Sequence, residues 1–515
     1  MATDGFPLGM RPVALLGVVV LGFGGIGSPC SRAQDSGDVI VAFEIAARDS
    51  ANVDIGAQRV SRDGKLLWGD GGKPVLVADG AALQTSPAAC DDGQGGAFVF
   101  YVHEFVGGEH AGDKDIVMQH LDRNGRRLWS EPKQVAGSKS VETRPLPVSD
   151  GQGGAVVVYL WTGETGDSDL LAQRIGPDGR LLWNDGKTPL TVGASKNLER
   201  NACVVPDGQG GVFVFFEWVG ENGDIDISGQ HVTTDGQFPW KTAQRALDIA
   251  ASVQKESHPV AVSDGAGGAI VAFEVEFTSG ENRGDIDIMA QRVSSGGTLL
   301  WGNAATPKVV GAATALERNP AAIADGAGGI MVAFEMEPVS GENKGDSDVL
   351  AQRLNADGQP QWEQGQRSVP VSSSTDLERW PALVSDGAGG FIAAVELEFR
   401  AGINQRDKDI VAQCISPLGK MMWNDGKKSA AVGTAKPWLE ERPIALTDSH
   451  GGAIIVYPAT ARGGPADGDQ DLEAVRVDAS GKILWNNGER AVDVAATKLL
   501  ERNPSAFVVG AAKME

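Results

Sequence analysis

Short apolar stretches alternate with polar, glycine-rich turns along almost the whole chain, and the alternation repeats at a nearly constant distance. The clearest marker is the pentapeptide Asp-Gly-x-Gly-Gly, whose successive copies lie 57 to 62 residues apart. The copies begin at Asp92, Asp150, Asp207, Asp264, Asp325 and Asp386, with a degenerate copy at Asp448. Such a period predicts one repeated supersecondary unit rather than a series of unrelated domains.

Residues 316–362 show the order of elements within one repeat. Apolar segments flank the glycine-rich turn, and a polar connection, a third apolar segment and an Asp-Gly hairpin pattern follow. The predicted elements are a first strand over 317–324, a turn over 325–329, a second strand over 330–337, a third strand from residue 349 and a fourth strand that carries Trp362. Four antiparallel strands in each repeat are typical of a β-propeller blade.

The two ends of the repeated region complement each other. The pattern begins near Gly37 with a second strand and ends near Val509 with a first strand that has no blade of its own. Counting gives eight sets of second to fourth strands and eight first strands. The sequence therefore predicts an all-β fold, a single eight-bladed β-propeller of four-stranded antiparallel blades, closed by the C-terminal strand, which completes the N-terminal blade.

Tryptophan recurs at one equivalent position in every repeat. The members of this set are Trp68, Trp129, Trp183, Trp240, Trp301, Trp362, Trp423 and Trp485. A large aromatic side chain at this position can pack between neighbouring blades and supply burial that a thin blade lacks by itself. We expect these residues to belong to the core rather than to a ligand site.

A family resemblance rests on three motifs. The run Asp-Ile-x-Ala-Gln-Arg-Val, the hexapeptide Asp-Gly-x-Leu-Leu-Trp and the Asp-Gly-x-Gly-Gly turn resemble those of bacterial β-propeller repeat proteins, which are exported, over nearly all of residues 37–509. This resemblance implies the fold but no catalytic residues. The blades are also similar to the tryptophan-docked blades of quinoproteins. However, residues 63–68 read Asp-Gly-Lys-Leu-Leu-Trp without the usual Thr-Gly, and the chain has no adjacent cysteine pair, so we expect no quinone and no required cofactor.

Composition and the N-terminal residues indicate an exported, acidic protein. The formal net charge of −23 argues against nucleic acid as a partner, because phosphate binding needs clustered Lys and Arg. Residues 1–33 resemble a secretory signal peptide, with Arg11 before an apolar run and Ser31-Arg32-Ala33 as a cleavage site. The start at Met1 or Met10 and lipid attachment at Cys30 stay open. We expect one domain over 34–515, secreted, periplasmic or on the cell surface, monomeric and without a membrane span.

The sharpest polar pattern is Asp-x-Asp between the second and third strands. It occurs as Asp113/Asp115, Asp167/Asp169, Asp224/Asp226, Asp285/Asp287, Asp346/Asp348, Asp407/Asp409 and Asp469/Asp471, with Asn52 and Asp54 in the first blade. Oxygen ligands at alternate positions of a turn suit a hard cation, so Ca²⁺ is a possible ligand. The other interpretation is that Asp caps the turn by accepting backbone N–H bonds. Recurrence in every blade favours this architectural role.

A second recurring acid begins each first strand. The set comprises Glu142, Glu199, Glu256, Glu317, Glu378, Glu440 and Glu501, with Gln84 in the first blade. Arg200, Arg318, Arg379 and Arg502 follow directly, so we expect ion pairs between neighbouring blades. His120 and His231 occupy a position that is Arg in other repeats, and we expect them to replace Arg as hydrogen-bonding groups. His103, Glu104, Glu109 and His110 could bind a transition metal, although their spacing matches no standard motif.

Four tryptophans outside the repeat set, Trp161, Trp218, Trp380 and Trp438, lie near the predicted ligand-bearing face. Aromatic side chains beside carboxylates suit stacking on a sugar or contact with a partner's side chain. The sequence therefore favours a non-enzymatic binding or scaffold module that presents this face to a glycan or protein. One alternative is an extracellular polysaccharide hydrolase or lyase that uses carboxylates such as Glu104 or Glu276. Another is a calcium-dependent surface module.

Overall fold

The computed structural model describes residues 37–47, 52–240, 246–434, 438–463, 466–488 and 490–510. The predicted signal peptide, the choice between Met1 and Met10, and Cys30 lie outside these residues. In the described part of the chain the helices are short 3-10 turns, and none is long and apolar enough to cross a membrane. The predicted all-β class is confirmed.

The strands fall into antiparallel groups of four, which we number in chain order. The first half comprises β1 (Val39–Ala46), β2 (Val53–Val60), β3 (Val75–Ala78), β4 (Leu83–Asp91), β5 (Ala97–Glu104), β6 (Lys114–Leu121), β7 (Lys133–Ala136), β8 (Val141–Ser149), β9 (Ala155–Thr162), β10 (Ser168–Ile175), β11 (Leu190–Gly193), β12 (Leu198–Pro206), β13 (Val212–Val219), β14 (Ile225–Val232) and β15 (Leu247–Ala250).

The second half repeats the same order. It comprises β16 (Lys255–Ser263), β17 (Ala269–Glu276), β18 (Ile286–Val293), β19 (Lys308–Gly311), β20 (Ala315–Ala324), β21 (Ile330–Pro338), β22 (Asp348–Leu354), β23 (Val369–Ser372), β24 (Leu377–Ser385), β25 (Phe391–Glu398), β26 (Lys408–Ile415), β27 (Ala430–Gly433), β28 (Trp438–Glu440), β29 (Ile444–Thr447), β30 (Ala453–Ala461), β31 (Gln470–Val477), β32 (Val492–Ala495) and β33 (Leu500–Val508). The 3-10 turns are Asp70–Gly72, Gly108–His110, Trp183–Gly186, Trp362–Gly365, Gly402–Asn404, Asn424–Gly426 and Asn486–Gly488.

The C-terminal strand belongs to the N-terminal group. β33 pairs antiparallel with β1, with Ile40 opposite Phe507, and the sheet has the order β3-β2-β1-β33. In the other groups the first strand also stands at one edge, followed by the second, third and fourth. In the β28–β32 group the first strand is divided into β28 and β29, and both parts pair with β30.

The repeat tryptophans pack between neighbouring groups, as predicted. Trp301 is 1% exposed, and its Nε1 donates to the carbonyl of Ala356 in the next group at 2.8 Å. The same bond is made by Trp68, Trp183, Trp240, Trp362, Trp423 and Trp485. Burial of an aromatic ring together with its N–H bond stabilises the boundary between two thin sheets.

The Asp-Gly-x-Gly-Gly turn is held by its own aspartate. Asp325 Oδ1 accepts the backbone N–H groups of Ala327 and Gly329, while its Oδ2 accepts two N–H bonds from the Arg353 guanidinium. In two groups histidine takes the place of this arginine, and Nε2 of His120 and His231 lies 3.0 Å from the corresponding aspartate. The predicted hydrogen-bonding replacement is confirmed.

Candidate functional site

Seven groups have a β-bulge near the start of the first strand, and in the β28–β32 group the first strand is interrupted at the same place. In β24 the register with β25 shifts between Arg379 and Ala382, which leaves Trp380 and Pro381 outside the regular ladder. Proline has no N–H for the ladder, so an X-Pro pair inside a strand favours such a bulge. We call the residues with positive φ at this position the bulge series; it comprises Ser86, Arg144, Asn201, His258, Asn319, Trp380, Arg442 and Asn503, with φ from 44° to 53°.

The bulge series lines one shared surface, because the first strand of each group contacts the first strand of the next. Direct side-chain contacts link neighbouring members. Arg144 Nη1 donates to Asn201 Oδ1 at 3.0 Å, and the Arg442 guanidinium lies over the Trp380 ring, 4.5 Å from its centroid. The repeat position that carries tryptophan is the same in every group, whereas the residue type in the bulge series changes from group to group. A surface that binds an asymmetric ligand needs such variation.

Buried glutamates on the second strands hold the bulges in place. Glu335 Oε1 accepts the backbone N–H of Trp380 at 2.8 Å. The equivalent bonds join Glu44 to Ser86, Glu217 to His258, Glu274 to Asn319 and Glu396 to Arg442. Because each bond crosses from one group to the next, these glutamates fix the position of the neighbouring group's bulge.

Glu335 is a buried residue whose pKa lies near neutrality. The side chain is 8% exposed, and this burial raises its pKa to about 7, even though Trp380, Asn319 and Arg379 favour its ionised form. The next glutamate in the series, Glu396, lies 3.0 Å from Lys408 Nζ. Two neighbouring carboxyl groups therefore have different surroundings, one with a direct ammonium partner and one held by N–H donors.

The first strands also concentrate positive charge in an otherwise acidic protein. Six arginines lie at or directly before the bulge, namely Arg144, Arg200, Arg318, Arg379, Arg442 and Arg502. Arg200 and Arg502 bind Glu217 and Glu44, and their side chains remain 43% and 40% exposed. This surface suits an anionic ligand, because a planar guanidinium can donate two parallel hydrogen bonds to a carboxylate or sulfate.

The predicted ion pairs of the strand-start glutamates are wrong. Glu199 Oε1 accepts a hydrogen bond from Ser195 Oγ at 2.7 Å, and Arg200 binds Glu217 instead. Successive residues of a strand point to opposite faces, so Glu199 and Arg200 serve different surfaces. The Asp-x-Asp motif lies at the same end of the strands as these glutamates. Within one group, Glu142 of β8 and Asp169 of β10 both stand opposite Trp161 of β9, which lies between them.

The expected position of the second aspartate of the Asp-x-Asp motif needs correction. The sequence placed both acids in the turn before the third strand, where a cation could reach them. Asp115, Asp287 and Asp409 instead lie inside the third strand and are only 5%, 6% and 8% exposed. Asp409 is paired opposite Leu397 of the second strand, because β26 already begins at residue 408. Asp409 is therefore a buried strand residue and not an open turn ligand.

The four candidate tryptophans lie at this end of the strands but form two separate pairs along the chain. Trp161 and Trp218 are at the ends of β9 and β13, and Trp218 Nε1 donates to Ser195 Oγ at 3.2 Å. Trp438 begins β28, whereas Trp380 belongs to the bulge series. Sequence reasoning missed this series, although the recurring X-Pro pair was a usable signal.

The second-blade histidine cluster is not assembled as a metal centre. His110 Nδ1 lies 3.5 Å from Asp113, and His103 packs edge-on against Phe105. Among the residues that the structure describes, no three His, Cys, Asp or Glu side chains are arranged so that they could hold a metal ion.

Neither a family model nor a curated protein matches this chain. Solved structures with a related β-propeller fold include the polysaccharide lyase Uly1, at 7% identity over 74% of this chain and 88% of that one, with a TM-score of 0.42. An exo-1,5-α-L-arabinanase from a bovine ruminal metagenomic library has 9% identity over 56% and 96%, with a TM-score of 0.31. The Hadza microbial sialidase Hz136 has 10% identity over 68% and 72%, with a TM-score of 0.32.

These comparisons correct the functional prediction. The similar structures are mostly glycoside hydrolases together with a polysaccharide lyase, and the main expectation of a non-enzymatic binding or scaffold module is therefore wrong. At such low identity the likeness concerns the fold alone. No residue role is transferred, and the chemistry has to follow from the side chains of this chain.

Proposed function

We propose that this protein is an exported enzyme that cleaves an acidic polysaccharide, with its active surface in the bulge series around Trp380. The observation that carries the proposal is the position of Glu335, a buried carboxyl with a pKa of about 7 that accepts the backbone N–H of Trp380 and is influenced by the charge of Arg379. A group that titrates near the working pH can both donate and accept a proton, as general acid–base catalysis requires.

Substrate binding follows from the groups next to Glu335. The Arg442 guanidinium covers one face of the Trp380 ring, and the other face can receive the C–H groups of a sugar ring. Arg379 and Arg442 can hold the carboxylate or sulfate groups of neighbouring sugars. Since the formal net charge of the chain is −23, a polyanion is repelled by most of the protein surface and attracted only where arginines cluster.

Two cleavage reactions fit this arrangement. In hydrolysis, protonated Glu335 gives its proton to the glycosidic oxygen as the C–O bond breaks; water then adds to the anomeric carbon, and the proton that it loses returns to the Glu335 carboxylate. In β-elimination, an ionised Glu335 removes the C5 proton next to the uronate carboxylate, which an arginine neutralises; the C4–O4 bond breaks as the C4=C5 double bond forms, and the leaving oxygen takes a proton from water. Either reaction depends on the carboxyl of Glu335.

We also propose that the strand groups form a closed eight-bladed propeller, which would place the bulge series around a central channel. Support comes from the two chain ends. β33 pairs with β1 and contacts β4, while Trp485 Nε1 and Arg476 Nη1 both donate to the carbonyl of Arg62. Closure would leave no exposed sheet edge between the first and last groups.

Export remains part of the proposal. The signal-peptide pattern over 1–33 supports secretion to the periplasm, the cell surface or the medium, where polysaccharide substrates occur. We expect the protein to act as a monomer.

The test is cleavage of a panel of neutral and uronate-containing polysaccharides by the purified protein. Reducing-end release without ultraviolet absorbance indicates hydrolysis, and absorbance of an unsaturated uronate indicates elimination. We expect Glu335→Gln to lower the rate by about 10²–10⁴-fold, because a proton-transfer group is lost while the shape is kept.

The matched control is Glu44→Gln, which changes the equivalent carboxyl beside Ser86. We expect this variant to keep the activity, and both variants to keep the far-ultraviolet circular dichroism of the parent. Absence of cleavage on every acidic polysaccharide, or equal losses in the two variants, would contradict the assignment of Glu335.

A further inference from the structure

A carboxylate pair lies at the boundary between neighbouring strand groups. One member is the second Asp of the Asp-x-Asp motif, and the other is the Glu that begins the first strand of the next group. Six such pairs are Asp115–Glu142, Asp169–Glu199, Asp226–Glu256, Asp287–Glu317, Asp348–Glu378 and Asp471–Glu501. In three boundaries the third strand also makes a parallel bridge to the next first strand, as between Lys114 and Val141.

In each pair, one oxygen of each carboxyl is buried and has no hydrogen-bond partner. Glu256 is 2% exposed; its Oε1 accepts a bond from Ser252 Oγ at 2.5 Å, while its Oε2 has none. Asp226 Oδ1 is likewise buried and unpartnered, and the Asp226 and Glu256 carboxyls lie within hydrogen-bonding reach of each other. The unpartnered Glu Oε2 and Asp Oδ1 recur in all six pairs.

Two ionised carboxylates cannot hydrogen-bond to each other, because both are acceptors only. Leaving such oxygens buried and unpaired is costly, so a proton or a cation must lie between them. Burial raises the pKa of Glu256 to about 7 and that of Asp226 to about 6, and the charges of Asp224 and Asp248 contribute.

The first aspartates of the motif differ from group to group. Asp285 Oδ1 accepts the backbone N–H of Ala315 at 2.9 Å; this bond crosses to the first strand of the next group and does not cap the turn that contains Asp285. The second aspartate is the one that faces the glutamate. Asp113 Oδ1 and Asp167 Oδ1, in contrast, are buried and have no hydrogen-bond partner, so the first aspartate has no single role across the groups.

The boundary after β26 has the same two acids but a different environment. Asp409 and Glu440 stand at the two equivalent positions, and both have interaction partners in the structure. The preceding residue, Lys408, also brings an ammonium group to this boundary, where its Nζ binds Glu396 and Glu441. We therefore leave Asp409 and Glu440 out of the set of six pairs.

One boundary departs from the pattern, and it changes at two positions together. The glutamate is replaced by Gln84 and the first aspartate by Asn52, whose Nδ2 donates to Asp54 Oδ1 at 3.4 Å. Joint replacement of two acids by amides indicates that their negative charges serve one purpose.

We propose that each of the six pairs binds a Ca²⁺ ion that joins two neighbouring strand groups. The site has two protein carboxylates, one from each group, rather than a cluster of three. Main-chain carbonyls and water supply the remaining oxygen ligands, as is common for this hard and flexible cation. Unlike the proposed catalysis at Glu335, this role is structural and does not depend on a substrate.

The test is calorimetric Ca²⁺ titration and thermal unfolding of the mature chain after chelator treatment, with Mg²⁺ as the ion control. We expect saturable Ca²⁺ binding and a higher Tm, because a ligand of the folded state stabilises it. Glu256→Gln is expected to bind one ion fewer and to show a smaller rise in Tm. The natural Gln84 at the equivalent position indicates that the variant folds.

Glu131→Gln is the matched control, since it removes one exposed carboxylate outside the six pairs and should leave the ion count unchanged. Without Ca²⁺, stability should fall as the pH rises from about 4 to about 7, because the folded-state pKa values of Asp226 and Glu256, about 6 and about 7, lie above their ordinary 3.8 and 4.5. Two results would overturn the proposal: a stability that changes with pH but not with Ca²⁺, or an unchanged number of bound ions in Glu256→Gln. Either result would indicate that the two carboxyl groups share a proton instead.

Discussion

Single side chains in this protein act across the boundaries between strand groups. Arg292 illustrates this: it binds Asp264 Oδ2 within its own group and donates to the carbonyl of Ala356 in the next. Charge-assisted bonds of this kind are stronger than bonds between neutral groups, especially where both partners are largely buried. One polar residue in each repeat can therefore order a turn and dock the adjacent sheet.

Besides the two groups with histidine, one group has cysteine in place of this arginine, which permits a reciprocal test. Cys414 occupies the position of Arg353, beside Asp386 rather than Asp325. We expect Arg353→Cys to lower the free energy of unfolding by about 1–3 kcal/mol, because the buried carboxylate loses its charged partner. Cys414→Arg should raise the unfolding temperature. Urea denaturation of both variants measures the effect, and a stabilised Arg353→Cys protein would argue against the ion pair.

At the scale of elements, the hairpin between the third and fourth strands both turns the chain and packs against the preceding group. Gly358 has a φ of 73°, and a Cβ atom there would lie 2.9 Å from the Trp301 ring. The glycine of the Asp-Gly pair is thus required twice, once for the backbone and once for the tryptophan of the neighbouring group.

Gly326 allows the backbone requirement to be measured without the contact with tryptophan. It has a similar φ of 74°, but a Cβ atom there would meet no other atom within 4 Å. We expect Gly326→Ala to destabilise the fold by about 1 kcal/mol, the cost of a strained backbone, and Gly358→Ala to cost a further 1–3 kcal/mol through the clash. Thermal unfolding of the two variants compares them. Equal losses would show that the contact with Trp301 has no energetic effect.

At the scale of the whole molecule, the proposed ring depends on one terminal strand. β33 supplies a partner for β1 and contacts the first strand of the following group. Without it, β1 would expose a long apolar edge, and such edges promote association between molecules.

Deletion of residues 500–515 tests this proposal. We expect the truncated chain to unfold at a lower temperature, with reduced cooperativity, and to form oligomers. Deletion of residues 511–515 alone, which leaves β33 in place, should keep the parent behaviour. Size-exclusion chromatography with differential scanning calorimetry distinguishes the outcomes, and a monomeric, equally stable 500–515 deletion would contradict closure by β33.

Local and periodic features were predictable from the sequence. The Asp-Gly-x-Gly-Gly turns, the strand order and the boundary position of Trp301 all repeat with the chain, and the histidine replacements stand where the repeat expects arginine. The functional expectation failed for a related reason. Periodicity identifies what the repeats share, whereas a reaction depends on where they differ.

The active surface proposed here could not be located in that way. Trp380 was singled out as an isolated aromatic, but its bulge and its bond to Glu335 depend on the register between β24 and β25 and on the neighbouring group. The pKa of Glu335 depends on the burial of its side chain, which cannot be read from the sequence. Asp226 and Glu256 are 30 residues apart in the chain, and they face each other only because neighbouring strand groups are in contact.

The sequence by itself determined the all-β class, the four-strand repeat and the packing residues, because turns and alternating burial are encoded within a few neighbouring residues. Tertiary structure alone decided which carboxyl groups are buried, which of them face each other and which arginines share a surface with Trp380. Those relations are distances between separate strand groups, and desolvation and charge, which set the chemistry of carboxyl groups, depend on such distances.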